Sequence, residues 1–515
     1  MSRIRGIFLL CAFVYLSLAA GGPARAQEVT FGSPRDIAEI GFSGLAQFAN
    51  GFTLNRFAIN ANGTLEAAIL GVDSSQDPQE LPMLSVSFAQ DQGAFLPPIV
   101  LSGEDNVVEL IASVEMDSAN NLHAFSSRVE NGGSDAPQMN VVNSNSDATV
   151  VGDPIPLAPG TEPDFAQLFS NTTIDAEDNL HVVFSTLSPD TSDFTGPLYY
   201  VRSGDGGATW SPPKPVVGVS GSQSNNFIYP SVAAGADGET VVVSYFDANQ
   251  NQIRAAKSSD GGASFPTNEE VFQYPAQPPT VFSKVAMDAA GKIYVAYSGD
   301  VDDDPANAEV LLSTSTDGAS YGQPVTVNQE PTNFEGPIVN MAVDSRGRID
   351  VIWHSDPDGD DLTQALNFAR STDGGATFSS PVTIATAPDG QLAMNGGIRH
   401  DRWGHVFVDV IYAQFDLMTG GSVHMVVGTP DDLGAPENCG DSSDNDYDGA
   451  VDCDDTECEG DAACVDDSGI GGEAEGGGCS ISGHSSKLGW AALFPATGLL
   501  LLLLQRRKAR ASSRA

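Results

Sequence analysis

Seven times along the chain a polar turn gives way to a run of apolar residues. The clearest copy is GADGETVVVSYF (235–246). The other six, NANGTLEAAI, DSANNLHAFS, DAEDNLHVVF, DAAGKIYVAY, DSRGRIDVIW and DRWGHVFVDV, begin at Asn60, Asp117, Asp175, Asp288, Asp344 and Asp401. Asp, Asn and Gly suit tight turns, and the β-branched and aromatic residues that follow suit a buried strand. An inner strand such as PSVAAG (230–235) precedes each turn. A third strand such as NQIRAAKS (251–258) and a short fourth such as PVTI (381–384) come after it. Copies start 53 to 60 residues apart. Several short strands in each such period predict a propeller blade and not a helical repeat.

A second string recurs between the third and fourth strands. It reads RSGDGGATW (202–210), KSSDGGASF (257–265), STSTDGASY (313–321) and RSTDGGATF (370–378), with aspartates Asp205, Asp260, Asp317 and Asp373. Fainter copies are AQDQGAF (89–95) and NSNSDATV (143–150). The aspartate can accept backbone N–H bonds within the turn, the glycines permit positive φ, and Trp210, Phe265, Tyr321 and Phe378 can return to pack between sheets. A phosphate loop needs a helix and a following lysine, and neither is present. One carboxylate per copy is too few for a metal. These strings resemble the aspartate boxes of sialidase-like (BNR-repeat) propellers over roughly residues 28–434. The resemblance implies the fold. It does not imply one activity, since lectin-like propellers share the architecture. Sialidases of that kind use three arginines on the substrate carboxylate, a tyrosine nucleophile with a glutamate partner, and an aspartate acid/base.

The seventh unit runs out after VHMVVG (423–428). TFGSPRDI (30–37) matches TFSSPVTI (377–384) in five of eight positions, so the N-terminal segment is expected to supply the missing outer strand. The expected fold is an all-β, seven-bladed β-propeller closed by that strand, the alternative being six blades. Closure would also hide the open sheet edges.

The two ends read differently. Arg3 and Arg5 precede an apolar run, Ile7–Ala20, and Ala24-Arg25-Ala26 follows, which predicts a signal peptide over residues 1–26. The propeller is expected over 27–434. An acidic module over 435–468 holds Cys439, Cys453, Cys458 and Cys464, an even set that predicts two disulfides in an exported chain. In it Asp444, Asp446, Asp448, Asp452 and Asp455 follow a calcium-loop spacing without flanking helices. Ca²⁺ is the expected cofactor there, against an unstructured acidic spacer. A glycine-rich linker (469–487), an apolar transmembrane or sorting segment (488–504) and a basic tail (505–515) complete the chain. With Cys479 just before the apolar segment, this end resembles the sorting signals of myxobacterial surface proteins. That resemblance implies export to the cell surface or outer membrane, held through a membrane segment, processed to an anchor, or released.

Net charge sharpens the range of partners. At −45 the chain is a poor match for nucleic acid or anionic membranes. In a four-strand blade, boxes and the turns after first strands share one face, and ligands are expected on the other. The cations placed toward that other face are Arg56, Arg128 and Lys284. Tyr229 and Glu335 enter inner strands there and are, with Arg56, weak catalytic candidates. Asp300, Asp302, Asp303, Asp304, Asp356, Asp358, Asp360 and Asp361 predict an acidic rim, to which Ca²⁺ is also chemically suited. His354 and His400 read as surface or turn residues, and no Ser/His/Asp cluster is visible. The expected function is a noncatalytic module that binds an extracellular glycan or protein. The alternatives are a sialidase-type glycoside hydrolase and a structural envelope protein.

Overall fold

The computed structural model describes residues 29–40 and 57–431 except 62, 72–83, 91, 103–106, 131–137, 159–165, 188–196, 218–226, 276–281, 300–308, 330–331, 333–337, 357–364 and 415–420. It is a seven-bladed β-propeller. Each of blades 1 to 6 is a sheet of four sequential antiparallel strands. Their innermost strands are Phe57–Ile59, Val107–Met116, Ala166–Ile174, Phe227–Ala234, Ser283–Met287 and Val339–Val343, and Gln391–His400 begins blade 7. These seven strands touch in succession around the axis, blade 7 meeting blade 1.

Blade 7 is completed from the other end of the chain. Val29–Phe31 and Arg35–Ile40 both pair antiparallel with Gly421–Pro430, with Phe31 opposite Gly428 and Arg35 opposite Met425. The closing segment is therefore two strands rather than one. Arg35 carries the closure across the seam. Its guanidinium lies 2.5 Å from the buried Glu66 of blade 1, donates to the Gly93 carbonyl at 2.7 Å and covers the Phe95 ring. Burial raises the Glu66 pKa against the pull of Arg35. A carboxylate so deeply placed needs this partner to stay charged.

The core lies between blades, in clusters that each join the faces of neighbouring sheets. Boxes lock those contacts. In blade 3, Ser203 Oγ donates to Asp205 at 2.8 Å, Gly207 N donates back to Ser203 Oγ at 2.9 Å, and Thr209 N donates to Asp205 at 2.8 Å. The same bonds recur around Asp260, Asp317 and Asp373. Hydroxyl donors hold the Asp260 carboxyl down to about 2. The faint copy in blade 2 is a working box: Asp147 accepts from Thr149 N and Oγ1 at 3.1 and 2.6 Å, and Ala148 takes φ 51°. Each box leans on the blade before it. Trp210 meets Phe125 edge-on, Phe265 meets Tyr200, and Lys257 of blade 4 donates to the Asp317 carbonyl of blade 5 at 2.9 Å.

Two expectations are corrected. Among the described residues there is no disulfide, and no helix is long and apolar enough to cross a membrane. Cys439, Cys453, Cys458, Cys464, Cys479 and segment 488–504 all lie outside the described residues, as does every residue of the expected calcium loop.

The box contacts make a paired prediction. Gly262 (φ +83°) sits against the Tyr200 ring, where a Cβ would overlap it, whereas Gly291 (φ +81°) has open space around it. Gly291→Ala is expected to cost about 1 kcal/mol, the left-handed backbone penalty alone. Gly262→Ala should cost about 2–4 kcal/mol, because overpacking adds to that penalty. Denaturant midpoints of the two variants check this, and equal losses would remove the inter-blade role of the box.

Candidate functional site: the axial cavity

A cavity of about 490 Å³ occupies the axis at the box end. Inner strands of blades 3 to 7 form its wall, and turn residues Ala61, Ser345 and Arg402 rim it. Such strands are mostly small and apolar near the axis, so the charged side chains they carry stand out. Lys284, Arg399 and Arg402 are the Lys and Arg residues that line it.

Arg399 reaches beyond its own blade. Its Nη2 donates to both carboxylate oxygens of the buried Glu115, at 3.0 and 2.9 Å. Glu115 belongs to blade 2, so the pair spans blade 1, whose inner strand is only three residues long. Thr172 Oγ1 of blade 3 donates to Glu115 at 2.8 Å, and Ser113 Oγ lies 2.7 Å from Thr172 Oγ1. Lys284 feels both charges. Burial lowers its pKa to about 7, the positive Arg399 pushes the same way, and Glu115 opposes them. Near neutral pH the ammonium is therefore poised between charged and neutral forms, a property shared with many functional lysines.

The other polar groups at the mouth are engaged. Asp344 accepts from the Arg346 and Arg348 backbone N–H at 3.0 and 2.8 Å and pairs with Arg348 Nε at 2.5 Å. Asp401 accepts from His405 N at 2.8 Å and lies 2.7 Å from His405 Nδ1. Arg402 stacks on Trp403. His400 Nε2 lies 2.8 Å from Asp350, whose carboxylate also takes two bonds from Arg370, at 2.7 and 2.6 Å. Burial raises the Asp350 pKa, but Arg370 and then His400 outweigh it and bring it to about 2. His400 is thus a pinned residue at the end of an inner strand, not a loose turn residue.

The candidates from sequence divide as follows. Lys284 is in the cavity, but that cavity opens at the box end and not on the opposite face where ligands were expected, because the turns after the first strands rim it. Arg128 stands opposite Glu109 near the far end of the second strand of blade 2 and does not line the cavity. Tyr229, at φ 52°, packs on Phe282 (4.5 Å between centroids) and Ile338, and burial drives its phenol pKa up. That is the direction opposite to an activated nucleophile. Arg56 and Glu335 lie outside the described residues, as do Asp300, Asp302, Asp303, Asp304, Asp358, Asp360 and Asp361. Asp356 and His354 are buried, so neither belongs to an exposed rim or turn. Among the described residues no group of three or more His, Cys, Asp or Glu could hold a metal. Sequence reasoning missed both Glu115 and Arg399. The available signal was a charge inside an apolar inner strand, as in IASVEM and GGIRH.

No family model matches the chain, and no curated protein matches it. Similar solved structures include an ulvan lyase of a polysaccharide lyase family (TM-score 0.48, 10% identity, 77% of this chain and 95% of that one). The NanB sialidase from Streptococcus pneumoniae has TM-score 0.43 and 10% identity over 77% of this chain and 70% of its own. A protein of unknown function from Dyadobacter fermentans has TM-score 0.40 and 12% identity over 77% and 98%. At scores this low the likenesses establish nothing further about this chain, and its fold stands on the strand pairing.

The Lys284 environment sets a pH dependence. Its folded pKa of about 7 lies below the ordinary lysine value, so the unfolded chain binds more protons between that pH and about 10.4. Stability should rise with pH across that interval, the penalty for burying the ammonium being present in full below it. A tenfold difference in proton affinity between folded and unfolded chains is worth about 1.4 kcal/mol. Lys284→Met is therefore expected to gain about 2 kcal/mol or more over wild type at pH 6, and to lose that gain by pH 10. Urea titrations at the two pH values measure it.

Proposed function

We propose that the chain is an exported propeller that recognises the acidic end group of an extracellular carbohydrate in its axial cavity. The observation that carries this is the convergence of Lys284 and Arg399 on one cavity, with Arg402 at its rim. Among the described carboxylates, Glu115 is the counter-charge that both Lys284 and Arg399 feel. A guanidinium gives a carboxylate directed hydrogen bonds, and the lysine adds a point charge. The cavity volume is in the range of small-ligand sites. A net charge of −45 disfavours long polyanions at a distance, which favours a short acidic terminus.

Among the described residues, binding without cleavage is the reading that the carboxylates support. Glycoside hydrolysis ordinarily needs two carboxyl groups free to exchange protons or attack. Glu115 is held by Arg399 and Thr172, Asp344 by Arg348, and Asp401 by His405.

Calorimetry with N-acetylneuraminate, galacturonate and their neutral counterparts tests the reading. The acidic sugars should bind and the neutral ones should not. Arg399→Gln and Lys284→Met should each weaken binding about 10- to 100-fold, the scale of a lost charged hydrogen bond. Affinity should fall as pH rises through about 7, where Lys284 loses its charge, and binding near pH 8 should draw in a proton. Equal binding of neutral sugars, or none of either kind, would remove the proposal. Turnover of a fluorogenic sialoside or uronide would replace it with the hydrolase alternative.

A further inference from the structure

The strand that closes the ring brings Asp36 to a serine–histidine pair nearly 390 residues further along the chain. Ser422 and His424 alternate with Val423 on the third strand of blade 7, and Asp36 stands opposite His424 on the closing strand. Val423 faces blade 1, so Ser422 and His424 share the other side of the sheet, toward blade 6. There Ser422 Oγ lies 2.5 Å from His424 Nε2, and Asp36 Oδ1 lies 2.9 Å from His424 Nδ1. Serine to one ring nitrogen and carboxylate to the other is the order that nucleophilic acyl transfer requires. The Nδ1–Asp36 contact is at bonding distance but not aligned for a bond, a common state before substrate arrives.

We propose that Ser422, His424 and Asp36 form a second site, a serine esterase centre for small acyl esters. Ser422 is the nucleophile, His424 the base, and Asp36 a positioning residue that holds the imidazole tautomer. The site is separate from the axial cavity and rests on no part of the binding function proposed there. The ring of Tyr412 lies 4.7 Å from the imidazole, tilted at 48° to it, and packs on one side of it. Burial pushes the His424 pKa below its ordinary value against the pull of Asp36, so the imidazole is a neutral base at pH 7. The His424 side chain is only 12% exposed while Asp36 is 87% exposed. This suits a short acyl group, with the alcohol part left in solvent.

The chemistry balances with water alone. Ser422 Oγ bonds to the ester carbonyl carbon as its proton passes to His424 Nε2. The carbon–oxygen bond to the alcohol breaks, and the alcohol leaves with that proton. Water then gives a proton to His424 and its oxygen to the acyl carbon. The Ser422–acyl bond breaks and releases the carboxylic acid, and the proton returns to Ser422.

The full chain should be treated with a fluorophosphonate probe and mapped by mass spectrometry, with p-nitrophenyl acetate turnover measured alongside. The expected result is a label on Ser422 and hydrolysis that falls at least 100-fold in Ser422→Ala. Asp36→Asn should lower kcat about tenfold with KM little changed, and Asp36→Glu should restore part of it. Asp36 is exposed, so these variants keep the fold. In Ser422→Cys the thiol should react with iodoacetamide faster than in the double variant Ser422→Cys/His424→Gln. No label on Ser422 in wild type, or turnover unchanged in Ser422→Ala, would overturn the proposal. Loss of acidic-sugar binding in the axial-cavity variants with intact probe labelling would show that the two sites stand or fall separately.

Discussion

Blade 7 has three strands of its own, and its outer edge is covered by residues from the opposite end of the chain. A propeller sheet buries its faces only against its two neighbours, so a gap at one seam leaves two faces unpaired. The pairing of Val29–Phe31 and Arg35–Ile40 with Gly421–Pro430 prevents that gap. Arg35 then extends the closure into blade 1 through Glu66 and Gly93. Because the two ends of the described chain meet here, loop-closure entropy for the whole ring is met at this seam. Contacts elsewhere in the ring depend on it.

The axial charges show that dependence. Glu115 and Arg399 lie 284 residues apart in sequence and on blades that are not neighbours. Their ion pair forms only when blade 7 stands beside blade 1. Burying such a pair costs desolvation that must be met by geometry and by further hydrogen bonds. Thr172 supplies such a bond to Glu115, and Ser113 in turn bonds Thr172. Lys284 enters the same field as a second buried cation, and its depressed pKa records the cost of burial, with Arg399 adding to it. This arrangement underlies the proposed preference for an incoming anion over a neutral ligand.

The boxes serve a different end. Their aspartates and serines are spent on their own turns, and their glycines and aromatics on the preceding blade. This explains how Asp147 can work with an alanine at positive φ: the hydrogen bonds of the carboxylate carry the turn, and the small side chain of Ala148 still fits the interface. Motif strength in the sequence is therefore a poor guide to how well each blade is held.

The repeat, the blade count, the closing strand and the box turns were legible in the sequence. Each rests on a local rule: turn residues before a strand, a fixed period, and a matching outer-strand string at the far end. Lys284 was legible too, as a cation in an inner strand. The companions of Lys284 were not. Arg399 sits close to a box-face turn and nothing near it in sequence points to the axis, and Glu115 has no neighbour in sequence that marks its partner. Ser422, His424 and Asp36 were equally hidden, since only strand register across the closure sets Asp36 opposite His424. The chain by itself determined the strands and the turns between them, because propensity and period are local. The tertiary structure alone decided which charged and polar side chains meet, because those meetings depend on register, on the reach across a short inner strand, and on the ring being closed.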